Sequence, residues 1–460
     1  MRRPQSVPLT PGAVLLAAVT VLALLVTACV PGTQGPAGDG AGGPGGATTD
    51  PGAAGKITLK VWDQEVRGGQ NAEIERLNAK FEEKYPNVTI KRTSRSFSDL
   101  KTTLKLALSG SNPPDVVQAN QGYGDMVSFV RAGLLTPLDG YAGSYGWNTR
   151  YPQALLDLNR VSADTRSFGT GRLYGLSQAG EYLGLYYNKE LLRELDIEPP
   201  RTWDEFTRQL PRIKKAGELP VQFGNLDKYP AIHTFGAVLD QLADKDEQRD
   251  AIFGRGERGS WDTEEVREAA GTLRAWTRAG HLPKDANGQG HDAAAKDFAG
   301  GEGAYLLTGT WQLADLKKTM GEDLGFMPLP PAEPGGPSVT TGGQGLAWTV
   351  TSEAKQPGVA AAYIDFLTGE RAAQVMTEEG VLPVVPGKSP KKGTVERQMF
   401  DGWRRLVADD GLVPYLDYAT TTFYDTLSAG LQNVLSGRTS PGKFAEELQK
   451  DYTAFHRERR

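Results

Sequence analysis

The sequence predicts an α/β fold arranged as two domains, and three observations carry that reading. From Ile57 onward, β-rich segments alternate with helix-periodic ones. The body, residues 56–460, is long enough for two domains of ~100–200 residues each. Ahead of it, residues 30–55 hold almost nothing apolar that a core could bury, so a disordered tether is expected over residues 29–55.

Ile57-Thr58-Leu59-Lys60-Val61-Trp62 alternates in polarity and reads as a strand. Residues 71–85 place Ile74, Leu77, Asn78 and Phe81 at helical spacing, and Pro86-Asn87 ends the helix. Val88-Thr89-Ile90 is a second strand. Ser98 is expected to cap a helix through Leu108, and residues 114–118 to form a short buried strand. Strand, helix, strand, helix, strand is the pattern of a parallel sheet.

Further on, residues 123–133 read as helix, and residues 172–176 and 183–188 as extended chain. Thr202 with Glu205 three residues later forms a capping box. Residues 221–223, 304–307, 324–330 and 346–350 are extended. Residues 231–243, 264–279, 359–368, 423–435 and 444–455 are helical. Gly342-Gly343-Gln344-Gly345 reads as a plain glycine-rich turn. Trp62, Trp203, Trp261 and Trp348 read as core or staple residues.

The N-terminus has its own logic. Arg2 and Arg3 precede an apolar run, residues 13–26, which suits a signal-peptide core and falls short of the ~20 residues of a membrane span. Thr27-Ala28-Cys29 then resembles a bacterial lipobox, with Val26 where such motifs typically carry Leu. That resemblance implies cleavage after residue 28, acylation of Cys29 and a lipid-anchored protein on the outer face of the cell membrane. The alternative is an ordinary secretory signal with an incidental cysteine. Cys29 is the chain's single cysteine, so no intramolecular disulfide is available to it.

Removing residues 1–28 takes two arginines and no acids from a chain of formal charge −5, which leaves −7. That balance argues against nucleic acid as a partner. His233, His281, His291 and His456 have no ligand-like spacing, so no metal site is expected. No P-loop, nucleophile elbow or dinucleotide fingerprint occurs, and neither a catalytic residue nor a cofactor is expected. An exported α/β protein of this kind points to binding rather than turnover.

Several short motifs occur in a telling order. They are Phe81-x-x-x-Tyr85-Pro86-x-Val88, Pro113-Pro114-Asp115-Val116-Val117, and Gly175-Leu176 followed by Leu185-Tyr186-Tyr187-Asn188-Lys189-Glu190-Leu191-Leu192. Then come Thr202-Trp203-Asp204-Glu205-Phe206, Gly309-Thr310-Trp311, and Tyr363-Ile364-x-Phe366-Leu367 ahead of Gly380-x-Leu382-Pro383-Val384. In this order the body, Ile57 to Phe455, resembles the family 1 extracellular solute-binding proteins of ABC importers, the group that includes maltose-binding protein.

The resemblance implies a periplasmic-binding-protein-like fold: two α/β lobes, three hinge crossings and a ligand cleft between the lobes. It places lobe one at 56–178 and 331–381, and lobe two at 183–324 and 388–460. The crossings fall at 179–182, 325–330 and 382–387. It also implies an oligosaccharide ligand, ABC permease partners and action as a monomer.

Candidate contacts come partly from the residues themselves. Gln64 follows the first strand, and Asn120 and Gln121 follow the third, at strand ends where α/β folds bind ligands. By the resemblance, Glu181 matches an acidic hinge residue that holds hydroxyls, and Trp311 a tryptophan that stacks on a sugar ring. Asn225, Tyr229 and Tyr424 fall where the second lobe lends polar and aromatic contacts, and Gln344 is within reach of the same cleft. Two rivals remain open. A phosphate ester would use Arg92 and Arg95. A glycosidase would use Glu181 as general acid beside a second carboxylate.

Overall fold

A computed structural model describes residues 49–255, 259–385 and 387–459. The expected signal segment, Cys29 and the tether up to residue 48 lie outside the described residues. The end of the expected tether is not a free coil. Pro51–Ala53 forms a short 3-10 turn with Pro51 buried, and the Asn87 amide donates to the Pro51 and Ala54 carbonyls at 2.7 Å each. The ordered body therefore begins before residue 55.

The described strands are β1 (Ile57–Asp63), β2 (Val88–Ser94), β3 (Val116–Ala119), β4 (Arg160–Val161), β5 (Arg172–Leu173), β6 (Gly175–Leu176) and β7 (Gly180–Asn188). They continue with β8 (Val221–Gln222), β9 (Tyr305–Gly309), β10 (Leu324–Pro328), β11 (Thr340–Gln344), β12 (Ala347–Val350) and β13 (Leu412–Val413). One sheet has the order β2-β1-β3-β12-β6, with β1 parallel to β2 and β3. The other has the order β13-β11-β7-β9-β8, with β10 also paired to β7. Each sheet is the centre of one lobe. Every residue of β7 is buried, which explains its continuous apolar and aromatic run.

Helices cover the sheets with their apolar faces. Helix Gly68–Lys84 turns Ile74, Leu77 and Phe81 inward, and Phe81 meets Tyr363 of helix Pro357–Leu367 edge-on at 5.3 Å. The next helix is Phe97–Leu108, and its cap is Ser96 rather than Ser98: the Ser96 hydroxyl accepts from the Asp99 amide. At helix Trp203–Lys215 the Thr202 hydroxyl accepts from the Glu205 amide, but the Glu205 carboxylate takes the Arg201 amide instead of closing the box on Thr202. Trp261 and Trp348 are fully buried, while Trp62 lies half-buried under Arg95.

The chain passes from the first sheet to the second between β6 and β7. It returns between β11 and β12, and leaves again near Leu382. The passes are hydrogen-bonded to one another. Gly180 N donates to Leu382 O and Val384 N to Gln178 O, both at 2.8 Å, and Gly345 N donates to Ala179 O at 3.0 Å.

The middle pass differs from the expected one. Residues 325–330 do not cross: β10 stays on β7 in the second sheet. Residues 331–344 do not join the first lobe either, because β11 pairs with β7 and β13. The crossing falls at Gly345-Leu346. The glycine run is thus a strand and not a turn. A Cβ at Gly342 would sit 2.5 Å from the Glu181 carbonyl, so the bare backbone is what lets β11 pack against β7.

Candidate ligand-binding site

Strand ends of both sheets and the crossings converge on a cavity of about 610 Å³, counting its mouth. The first lobe supplies Gln64, Arg67, Gln70, Phe97 and Asn120. The second supplies Tyr229, His233, Trp311, Tyr415, Asp417, Tyr418 and Tyr424, with Ile232. Glu181 of β7, Gln344 of β11 and Leu346 of the middle crossing complete it.

The loop after β1 is held by buried polar bonds. Asp63 is fully buried and receives Arg92 Nε at 2.7 Å and Nη2 at 2.9 Å. Its Oδ1 accepts from Glu65 N, while Gln118 accepts from Gln64 N and donates to the Glu65 carboxylate. This fixes Gln64 at the cavity wall. Trp311 owes its position to the end of β9. A Cβ on Gly309 would lie 1.9 Å from the indole, so only glycine lets the ring fold back there. The indole then meets the His233 ring at 5.3 Å, and His233 meets Tyr229 and Tyr415 at 5.2 and 5.4 Å.

Of the residues singled out from sequence, Gln64, Asn120, Glu181, Tyr229, Trp311, Gln344 and Tyr424 line this cavity. Gln121 and Asn225 do not, and each has a bracing contact instead. Gln121 Nε2 donates to the Gly345 carbonyl at 2.9 Å, and its Oε1 accepts from the Tyr418 hydroxyl at 2.9 Å. Asn225 is wholly buried; it accepts from Ala231 N and donates to Asn287, so it braces the start of helix Tyr229–Leu239.

Arg67, Gln70, Phe97, His233, Tyr415, Asp417 and Tyr418 are lining residues that the sequence reading did not single out. The one signal available was the run Pro414-Tyr415-Leu416-Asp417-Tyr418, two tyrosines and an acid in a short loop behind a strand.

The Tyr415 hydroxyl lies within hydrogen-bonding reach of Glu181, whereas three buried polar atoms of the lining, Gln70 Oε1, Trp311 Nε1 and Gln344 Oε1, have no hydrogen-bond partner. Such a group costs about 1–3 kcal/mol when left unpaired. Their concentration among aromatic rings suits a ligand that has apolar faces and hydroxyls at its edge.

Burial pushes the Glu181 carboxyl up to about 8, with Glu65 adding to the effect and Arg67 opposing it. Burial likewise lifts Glu65 to about 7 and Asp417 to about 6. It drives His233 down to about 3, so that ring is neutral. Burial works against the charge on Arg67, yet Tyr229 and Asp292 hold its pKa above the ordinary value. At neutral pH Glu181 is mostly protonated and His233 is neutral, while Asp417 is mostly ionised and Arg67 already has its counter-ion.

The pKa of Glu181 in the folded state lies above its ordinary value of 4.5. Its stabilising contribution is therefore complete below about 4.5 and is lost as pH rises through about 8. Glu181→Gln removes that loss. The melting temperature of the variant relative to the parent should climb steadily between pH 5 and pH 8. Calorimetry across that range checks it, and a constant difference would count against a buried, protonated Glu181.

Residues 67–374 match the family described as bacterial extracellular solute-binding protein. An uncharacterised ABC transporter extracellular-binding protein of Pyrococcus horikoshii is 24% identical over 325 residues, 69% of this chain and 68% of that one. The multiple sugar-binding protein of Streptococcus mutans is 22% identical over 322 residues, 69% of this chain and 73% of that one. Among solved structures, a chitin oligosaccharide binding protein superposes with a TM-score of 0.76 at 20% identity, covering 87% of this chain and 99% of the other, which shows the shared two-lobed fold. The matched region takes in most strands of both sheets and most of the cavity lining, and the chain belongs to the bacterial extracellular solute-binding protein family.

Proposed function

We propose that this chain captures an uncharged sugar or short oligosaccharide between its lobes and delivers it, chemically unaltered, to an ABC permease. The observation that carries the reading is the set of three unpartnered polar atoms interleaved with aromatic rings. A sugar offers hydroxyls to the former and C–H faces to the latter. The names of the Streptococcus mutans relative and of the chitin oligosaccharide binding protein support the same ligand class.

Charge supports a neutral ligand over a phosphate ester. Arg92 is taken by Asp63 and Asn71, and Arg95 lies over the Trp62 ring at 4.6 Å, so neither lines the cavity. Arg67 does line it, but Asp292 already answers its charge.

A thermal-shift screen of neutral mono- and oligosaccharides against glycerol 3-phosphate tests the reading. A ligand at 100 times its dissociation constant adds about 2.7 kcal/mol, which reads as a rise of several degrees. A shift with glycerol 3-phosphate and none with any saccharide would overturn it.

In the same proposal, Cys29 carries the lipid that keeps the protein at the outer membrane face, and the protein works as a monomer. Two acyl chains hold firmly at about 0.8 kcal/mol per buried methylene, whereas one chain binds reversibly. Cys29→Ala should therefore move the protein from the membrane fraction into the soluble fraction of an expressing bacterium. Retention at the membrane would show that the anchor lies elsewhere.

A further inference from the structure

Contacts between the lobes wall the cavity along much of its rim. Arg67 Nε pairs with Asp292 Oδ1 at 3.0 Å, and its Nη2 donates to the Tyr229 hydroxyl at 3.1 Å. Beside this, the Phe97 ring stands edge-on to Tyr229 at 5.6 Å and to Tyr424 at 6.2 Å. The Lys101 ammonium lies over the same Tyr424 ring at 4.7 Å. Elsewhere on the rim, Asn120 Nδ2 donates to Asp417 at 3.1 Å, and the Tyr418 hydroxyl donates to Gln121. Gly122, at φ +80°, comes so near Tyr418 that a Cβ there would lie 2.5 Å from the tyrosine Cα. Glu181 of β7, Gln344 of β11 and Leu346 of the middle crossing supply the rest of the lining.

Arg67 marks where the wall meets solvent. Its side chain lines the cavity and is 15% exposed, while its partner Asp292 is 62% exposed. The guanidinium thus fills the gap between the cavity and the surface. Counting its open mouth, the space amounts to about 610 Å³, the room of roughly twenty waters at ~30 Å³ each, and the part behind the rim is smaller. A chain of several sugar rings fits only if it passes through the rim, which means parting Arg67 from Asp292 and Phe97 from Tyr229.

From this we infer that the cavity takes a saccharide of one or two rings, enclosed whole, and excludes longer chains, with Arg67 and Phe97 as the stops. The inference rests on the saccharide reading of the site and adds a length limit to it.

Titration calorimetry with three graded series tests the limit: glucose to maltotetraose, xylose to xylotetraose, and N-acetylglucosamine to chitotetraose. In whichever series binds, the tightest member should have one or two rings, and the four-ring member should bind about 100-fold more weakly. In Arg67→Ala/Phe97→Ala that ratio should shrink at least about tenfold, because the stops are gone. A tetrasaccharide that binds the parent protein as tightly as the disaccharide overturns the length limit and leaves the saccharide reading standing. A ratio unchanged in the double variant overturns the role given to these two residues. No binding by any member defeats the saccharide reading, and the length limit falls with it.

Discussion

Trp311→Ala should weaken saccharide binding by about 100-fold, in line with buried tryptophan anchors in other interfaces, and should change the melting temperature little. The indole sits just after β9, half-buried, tilted against the His233 ring and with its Nε1 unpartnered. Both features matter for a sugar. The ring offers a flat apolar surface, and the N–H needs an acceptor that a hydroxyl can supply. The fold has less invested in it, since the fully buried tryptophans are Trp147, Trp261 and Trp348. Titration calorimetry beside a thermal melt separates the two effects. Affinity within threefold of the parent would remove Trp311 from the site. Gly309→Ala gives an independent check. It leaves the indole in the chain but forces it off its perch, so it should lose affinity in the same direction.

Arg92→Met should cost about 3–5 kcal/mol of stability, because it strands Asp63 as a buried, uncompensated carboxylate. The pair is bidentate, with Asp63 fully buried and Arg92 nearly so. Arg92 also donates to the Glu65 carbonyl at 2.7 Å, so it holds the loop that presents Gln64. Urea denaturation measures the loss. Adding Asp63→Asn to Arg92→Met should recover part of it, since the double variant no longer buries a lone charge. If Arg92→Met alone lay within about 1 kcal/mol of the parent, the ion pair would rank with ordinary surface pairs and the account of the loop would fail.

The elements that could be read from sequence were those whose signal is local. The alternation in β1, the helical spacing of Ile74, Leu77 and Phe81, and the Thr202 cap all state their structure within a few residues. Trp311 and Tyr229 were visible through the family resemblance, which sets a stacking tryptophan after Gly309-Thr310 and an aromatic contact of the second lobe at Tyr229.

What escaped depends on contacts far along the chain. β11 has a composition that suits strands poorly, and it is a strand because β7 offers it a close, paired backbone. That pairing moves the middle crossing to Gly345-Leu346, which no nearby residue announces. Arg67, just ahead of a helix, and His233, within one, are ordinary positions until the other lobe, or a ring cluster, surrounds them. Gln121 and Asn225 lie outside the lining for the converse reason. Amide side chains near strand ends brace the backbone as readily as they face a ligand, and only the fold says which.

The most direct test is native mass spectrometry of the folded body after exposure to a mixed pool of neutral mono- and oligosaccharides, followed by release and weighing of what was held. The expected result is one sugar per chain, released with its mass unchanged. A protein that retains no neutral saccharide, or that gives back shortened products, would contradict the central claim.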